Sequence, residues 1–178
     1  MRKNLSGIKI VLIVGASGVG KDSLIKAAKN NINANFVRRY ITREPDRNES
    51  NYYIDKEAFE ILKKNDYFVS SWSAYGNYYG IAKSHIKNGL NIVSVSRSAI
   101  KDFEKIYENV TTIEIKVKKE LLYERLKKRG REDNENILRR IEKSQQKVEA
   151  KNLICFDNSI PFEESKNNFL ELLKSLMQ

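Results

Sequence analysis

The chain has 178 residues, 40% hydrophobic and 31% charged, which suits one compact soluble domain able to bury a core. Its single cysteine excludes an internal disulfide framework and a cysteine-based zinc site. The formal charge of +10 raises nucleic acid as a partner. The lysines, however, are scattered along predicted helices and no basic–aromatic motif accompanies them, so a pocket for small anionic molecules on a lysine-rich surface is the simpler reading.

After Met1–Gly7, the run Ile8–Val14 is apolar except for Lys9. It is far too short to span a bilayer and leads into glycines rather than a cleavage site, so neither signal peptide nor membrane span is expected and the chain reads as cytoplasmic. The same β-branched run predicts a strand buried on both faces. A helix is predicted over Asp22–Asn30, with Leu24, Ile25, Ala27 and Ala28 inward, then a strand over Phe36–Ile41 and a short helix over Lys56–Lys64. Tyr67–Trp72 reads as extended, Tyr75–Gly80 as a turn within an aromatic patch, and Ala82–Asn88 as a short helix ended by Gly89. Next come a strand at Asn91–Val95, a helix at Ser98–Tyr107, a strand at Val110–Val117 and a helix at Lys119–Lys128 that stops at Gly130. A charged helix is expected from Ile137 to about Ala150, then a strand at Leu153–Phe156 that buries Cys155, then a helix opened by Pro161.

Strands alternating with helices imply a parallel sheet covered on both faces, a three-layer α/β domain over residues 1–178. The core is expected over 1–45, 82–120 and 150–178. The aromatic stretch at about 46–81 breaks the rhythm and reads as an insertion, and about 125–145 as a helical lid.

Gly15-Ala16-Ser17-Gly18-Val19-Gly20-Lys21 joins the first strand to the first helix with the spacing G-x-x-x-x-G-K. Glycines let the backbone curl so that successive N–H groups point at phosphate oxygens, and the helix N-terminus adds its positive end. Lys21 is placed to neutralise charge on the β- and γ-phosphates of ATP. The position after the lysine, ordinarily Ser or Thr, is Asp22, followed by Ser23. A carboxylate is a hard oxygen donor, so Asp22 and Ser23 are the candidate partners of Mg²⁺.

Arg38, Arg39 and Arg43 stand in and just beyond the second predicted strand, and Arg97 follows another. Ligands in parallel α/β sheets lie beyond the carboxyl ends of strands, so Arg39, Arg43 and Arg97 are candidates for holding an anionic acceptor, the guanidinium fork matching phosphate oxygens in pairs. Trp72, Tyr75, Tyr78 and Tyr79 are candidate walls for it. Arg125, Arg129, Arg131 and Arg140 surround Gly130; in a mobile segment such arginines close over a transferring phosphoryl group and exclude water. The only histidine, His85, reads as a surface helix residue, because a phosphate acceptor is already an anion and needs no general base.

Gly15–Lys21, Gly76-Asn77-Tyr78-Tyr79-Gly80 and Arg125-Leu126-Lys127-Lys128-Arg129-Gly130, continued by Ile137-Leu138-Arg139-Arg140, resemble the guanylate kinase superfamily over nearly the whole chain. Within it, Gly20-Lys21-Asp22-Ser23-Leu24, Arg39-Tyr40-Ile41-Thr42-Arg43, Ser71-Trp72 and Ser96-Arg97 look like the branch of ribose 1,5-bisphosphate phosphokinases. The resemblance implies an ATP- and Mg²⁺-dependent kinase with Lys21, Arg129 and Arg140 catalytic, and Asp157-Asn158 near adenine. It places Ser70 and Ser96 where guanine-binding relatives carry Glu and Asp, and Asp46 where they carry a second arginine, with Arg47 as the candidate substitute. Buried guanine donors left unpaired would cost about 1–3 kcal/mol each, which disfavours GMP. Three other readings stay open: a guanylate or other nucleoside monophosphate kinase, a non-catalytic guanylate kinase-like interaction module, and a nucleic-acid-binding domain. The intact phosphate loop argues against the second.

Overall fold

The computed structural model describes residues 7–44, 50–130 and 133–177. The first strand, β1 (Ile8–Val14), buries every residue except the partly covered Lys9, as an uninterrupted apolar run requires. Then follow α1 (Lys21–Lys29), β2 (Asn35–Phe36), β3 (Tyr40–Ile41), β4 (Tyr52–Tyr53), α2 (Lys56–Lys64), β5 (Phe68–Ala74), β6 (Asn77–Ala82), β7 (Gly89–Ser94) and α3 (Ile100–Ile106). The remainder is β8 (Asn109–Lys116), α4 (Lys119–Arg129), α5 (Asn134–Ser144), β9 (Leu153–Asp157) and α6 (Phe162–Ser175). The fold is mixed α/β. One sheet has the order β2-β7-β1-β8-β9, the other β4-β3-β6-β5. Parallel pairing joins β2 to β7 (Asn35 opposite Asn91) and β8 to β9 (Thr112 opposite Leu153).

The chain divides into two compact units. One runs to Leu12 and resumes over Ala34–Thr111; the other comprises Ile13–Asn33 and the chain from Thr112 onward. In the first, Phe59, Ile81, Val93, Ile100 and Phe103 are fully buried; in the second, Leu24, Ala28, Ile113, Phe169 and Leu173. Among the described residues no helix is long and apolar enough to cross a membrane.

In the first unit β5 and β6 form an antiparallel hairpin whose register brings Trp72 opposite Tyr79 and Ser70 opposite Ile81. Its two-residue turn, Tyr75-Gly76, has φ of 51° and 76°, the left-handed pair that matches strand twist. Gly80 is required by packing: a Cβ there would stand 2.7 Å from the Phe68 ring.

Several boundaries differ from the sequence expectation. Phe36–Ile41 is not one strand. Val37 still donates to Ile92 in the first sheet (2.9 Å), whereas Tyr40 pairs with Tyr52 and Gly80 in the second. The segment thus changes sheets, and the second sheet begins at Tyr40, before the predicted insertion. Ala82–Asn88 is not an α-helix: Ala82 ends β6 and only Lys83–His85 makes a 3₁₀ turn. The buried Asn91 side chain holds the following loop, accepting from Lys87 N–H (2.9 Å) and donating to the Lys87 and Gly89 carbonyls. Helix α5 ends at Ser144, not near Ala150. Cys155 is exposed, not buried. It lies on the sheet-edge strand β9, where Phe156 faces the core and Leu153, Cys155 and Asp157 face out.

Candidate active site

The phosphate loop lies in the second unit. Three glycines meet the steric demand that the sequence spacing implies. Gly15, Gly18 and Gly20 have φ of +153°, +95° and +94°, where a side chain is strained. Each is also crowded. A Cβ at Gly15 would approach the Ile115 carbonyl to 2.6 Å, one at Gly18 would meet Leu122 and Leu126 at 3.0 Å, and one at Gly20 would reach Asn158 Nδ2 at 2.5 Å. Lys21 arches over the loop, its Nζ donating to the carbonyls of Gly15 (2.6 Å) and Ala16 (3.0 Å). Asp22 and Ser23 stand exposed on the first turn of α1, with Ala16 and Ser17 half-buried and Val19 buried.

Beneath the loop is a polar clamp with no local sequence signal. Asn158 is 3% exposed and Ser165, on α6, is fully buried. The Ser165 hydroxyl donates to Asn158 Oδ1, which fixes the amide so that Nδ2 donates to the Val19 carbonyl at 2.7 Å. The Asn158 backbone N–H donates to the Lys116 carbonyl at 2.7 Å. Arg125, on α4, reaches back to the same place, donating to the carbonyls of Val19 (3.3 Å) and Asn158 (3.2 Å). Burial, then the neighbouring Arg129, lowers its pKa. A cleft of about 360 Å³ runs along this face, bounded by Gly18, Gly20 and Ser23 from the loop and α1, Arg125, Lys128 and Arg129 from α4, and Asn158 and Phe162. That volume suits part of a nucleotide.

Of the arginines predicted around Gly130, the structure places Arg125 and Arg129 in the lining of the cleft beside the loop. Gly130, with φ of +61°, ends α4, and Asp133 caps α5 by accepting from Asn136 N–H (2.8 Å). Arg140 is half-buried on α5, which packs on α4. Arg131 lies outside the described residues, as do Asp46 and Arg47.

The first unit carries the aromatic and arginine candidates. Trp72 and Tyr79 stack with centroids 5.6 Å apart and planes 4° from parallel, both half-exposed, and the Arg39 guanidinium lies 5.8 Å from the Tyr79 ring. Arg39 Nε also donates to Asn51 Oδ1 at 3.3 Å. Adjacent strand residues point to opposite faces, so Tyr78 is turned to α2, its ring 5.6 Å from Phe59. Its backbone is held by Thr42, whose hydroxyl accepts from Tyr78 N–H at 2.9 Å. Tyr75 is 67% exposed at the hairpin tip. Arg43 is half-buried and donates to the Glu44 carbonyl at 3.2 Å; Arg97 is half-buried at the start of the 3₁₀ turn Arg97–Ala99. Ser70, 4% exposed, donates to Asp102 Oδ2 at 2.6 Å.

His85 is not a surface helix residue. It is half-buried, stacked on Tyr40 (5.5 Å, 15°) and 5.4 Å from Tyr52, with Nδ1 donating to the Arg38 carbonyl at 3.2 Å. Arg38 in turn covers the other side of the cluster, 3.8 Å from the Tyr52 centroid. The hydrogen bond to Tyr67, with burial, holds the Tyr40 hydroxyl up to about 12.

A guanylate kinase family model matches residues 7–178. The ribose 1,5-bisphosphate phosphokinase PhnN of Desulfomicrobium baculatum is 35% identical over 166 residues, spanning 88% of this chain and 89% of that protein. The protein of the same name from Agrobacterium fabrum is 32% identical over 175 residues, spanning 93% and 96%. Among solved structures, the guanylate kinase of Anaplasma phagocytophilum matches with a TM-score of 0.62 at 18% identity, covering 97% of this chain and 87% of that one, a likeness of fold. With a phosphate loop built as above and agreement along nearly its whole length, the chain is a kinase that belongs to the guanylate kinase family, in the company of the ribose 1,5-bisphosphate phosphokinases.

Proposed function

We propose that the chain transfers the γ-phosphoryl of ATP to the 1-phosphate of ribose 1,5-bisphosphate, giving 5-phosphoribosyl 1-diphosphate and ADP. The observation that carries this reading is Ser70. At a position where guanine-binding relatives resemble one another in carrying a carboxylate, this chain has a buried hydroxyl already engaged by Asp102. The whole-length likeness to relatives named for the sugar bisphosphate supports it.

In this reading ATP lies along Gly15–Ser23, its phosphates bound by the loop N–H groups and the start of α1. Lys21 leaves the loop carbonyls it now contacts for the β- and γ-oxygens. The base enters the cleft beside Arg125 and Phe162. Arg39, Arg43, Arg97 and Tyr79 hold the acceptor's phosphates, with Tyr78 supporting the strand. An oxygen of the 1-phosphate forms the new bond to the γ-phosphorus, and the bond from that phosphorus to the β–γ bridging oxygen breaks, its electron pair leaving with ADP. The attacking oxygen is already anionic, so positioning and charge neutralisation supply the catalysis. Arg129 and Arg140 offset charge on the moving phosphoryl group and, with Arg131, exclude water.

Among the described residues no group of three or more His, Cys, Asp or Glu could hold a metal. Mg²⁺ would be held by the exposed Asp22 carboxylate and Ser23 hydroxyl together with the nucleotide's oxygens, a donor set that fits a hard cation. When bound, it neutralises the β- and γ-phosphate oxygens. Asp22→Ser should shift the magnesium dependence of turnover to higher concentration; an unchanged magnesium titration would remove Asp22 from this role.

The deciding experiment is a coupled ADP-release assay with ribose 1,5-bisphosphate or GMP as acceptor. Turnover with the sugar bisphosphate alone, yielding the diphosphate product, is the expected result. Turnover with GMP alone would make the chain a divergent guanylate kinase.

A further inference from the structure

We infer that Asp102 reads the ribose hydroxyls of the acceptor, held in place for that purpose by Ser70. The inference rests on the sugar-bisphosphate reading above and adds a specificity-determining residue that the sequence motifs do not contain.

From Ser70 onward the β5–β6 register is regular, so Ser70 and Trp72 point to the same face of the hairpin, about 7 Å apart along the strand. That face carries the stacked Trp72–Tyr79 pair with the Arg39 guanidinium 5.8 Å from the Tyr79 ring. Helix α3 packs on β5 and presents Asp102 to it. Arg97 stands on the turn that runs directly into α3. A carboxylate and the Arg39 guanidinium thus border one half-exposed aromatic face within a single unit, with Arg97 on the turn that leads into α3.

Asp102 itself is half-buried, and Ser70 Oγ donates to its Oδ2 at 2.6 Å. Among the described residues Oδ1 takes no bond, and no cation pairs with the carboxylate. An ionised carboxylate only accepts, and it offers two oxygens. Ser70, nearly buried, satisfies one and fixes the plane of the group. The remaining oxygen is left for a hydroxyl donor. A vicinal diol presents two such donors, whereas the phosphates of the same substrate are acceptors that a carboxylate repels. The chemistry therefore selects the sugar's 2- and 3-hydroxyls, with the arginines taking the phosphates at either end.

The test compares ribose 1,5-bisphosphate with its 2-deoxy analogue in the ADP-release assay, for the unaltered protein and for Asp102→Asn and Asp102→Ala. The asparagine variant keeps an oxygen for Ser70 and so guards against loss of folding; melting temperature and KM for ATP are measured alongside. The unaltered protein should prefer the ribose substrate by about ten- to a hundredfold in kcat/KM, the worth of one hydrogen bond to a charged group. Both variants should bring that preference close to one, chiefly by raising KM for the ribose substrate, with KM for ATP unmoved. A merely structural role would lower the melting temperature and leave the preference intact, and that result overturns the inference. So does an unaltered protein that ignores the 2-hydroxyl. If the unaltered protein turns over neither sugar, the reading of the function fails first, and this inference with it.

Discussion

Asn158 shows how much of a phosphate loop is made outside the loop. The glycines permit the curl, but the amide of Asn158, oriented by Ser165, holds the Val19 carbonyl down at 2.7 Å. With that carbonyl turned inward, the neighbouring N–H groups are free to face a phosphate. Arg125, tied to the same two carbonyls, belongs to this framework more than to a moving lid. Ser165→Ala leaves Asn158 Oδ1 buried without its donor. It should lower unfolding stability by about 1–3 kcal/mol and raise KM for ATP, while Ser165→Thr restores both. Urea unfolding and the ADP-release assay provide the two readouts. Loss of stability with KM for ATP unchanged would show that the clamp serves the fold alone.

At the scale of the element, the β5–β6 hairpin sorts its side chains by alternation. Trp72 and Tyr79 stack on one face, while Tyr78 packs toward Phe59 and α2 on the other. Two tyrosines adjacent in sequence therefore have different surroundings, one stacked on Trp72 and one packed toward Phe59. The register that achieves this depends on Gly80, where Phe68 fills the space a side chain would need. Gly80→Ala should destabilise the protein by about 1–3 kcal/mol, the cost of overpacking a filled site, and Phe68→Leu in the same chain should recover most of it. Equal loss in the single and double variants, by denaturant midpoint, would argue against this steric account.

For the whole molecule, the proposed reaction gives the charge of +10 a use in attracting small anions. Arg125, Lys128 and Arg129 border the cleft beside the phosphate loop, and Arg39 borders the aromatic face of the first unit. Every substrate and product of the proposed reaction is multiply anionic, so the positive field raises encounter rates and is screened by salt. KM for ribose 1,5-bisphosphate should rise several-fold between about 50 mM and 300 mM salt, with kcat changing less, because the Debye length falls below ~10 Å over that range. A KM indifferent to salt would mean that only short-range contacts act.

The phosphate loop was legible in the sequence because its chemistry is local: glycine conformations, one lysine and a strand and helix on either side are all encoded within a few residues. Most elements followed from periodicity for the same reason, and the family followed from short motifs in order. Partners distant in sequence were not legible. Nothing in Phe36–Ile41 says that its two ends pair in different sheets, because the apolar or aromatic pairs on either side of Arg38 and Arg39 suit either partner. Nothing near Cys155 says that its strand is an edge, nor near His85 that two tyrosines enclose it. The Ser165–Asn158–Val19 clamp and the Ser70–Asp102 pair join residues separated by up to 139 positions. Local propensity fixes how a segment folds; which polar groups then share a buried space is decided only when the chain closes on itself and each must find a partner.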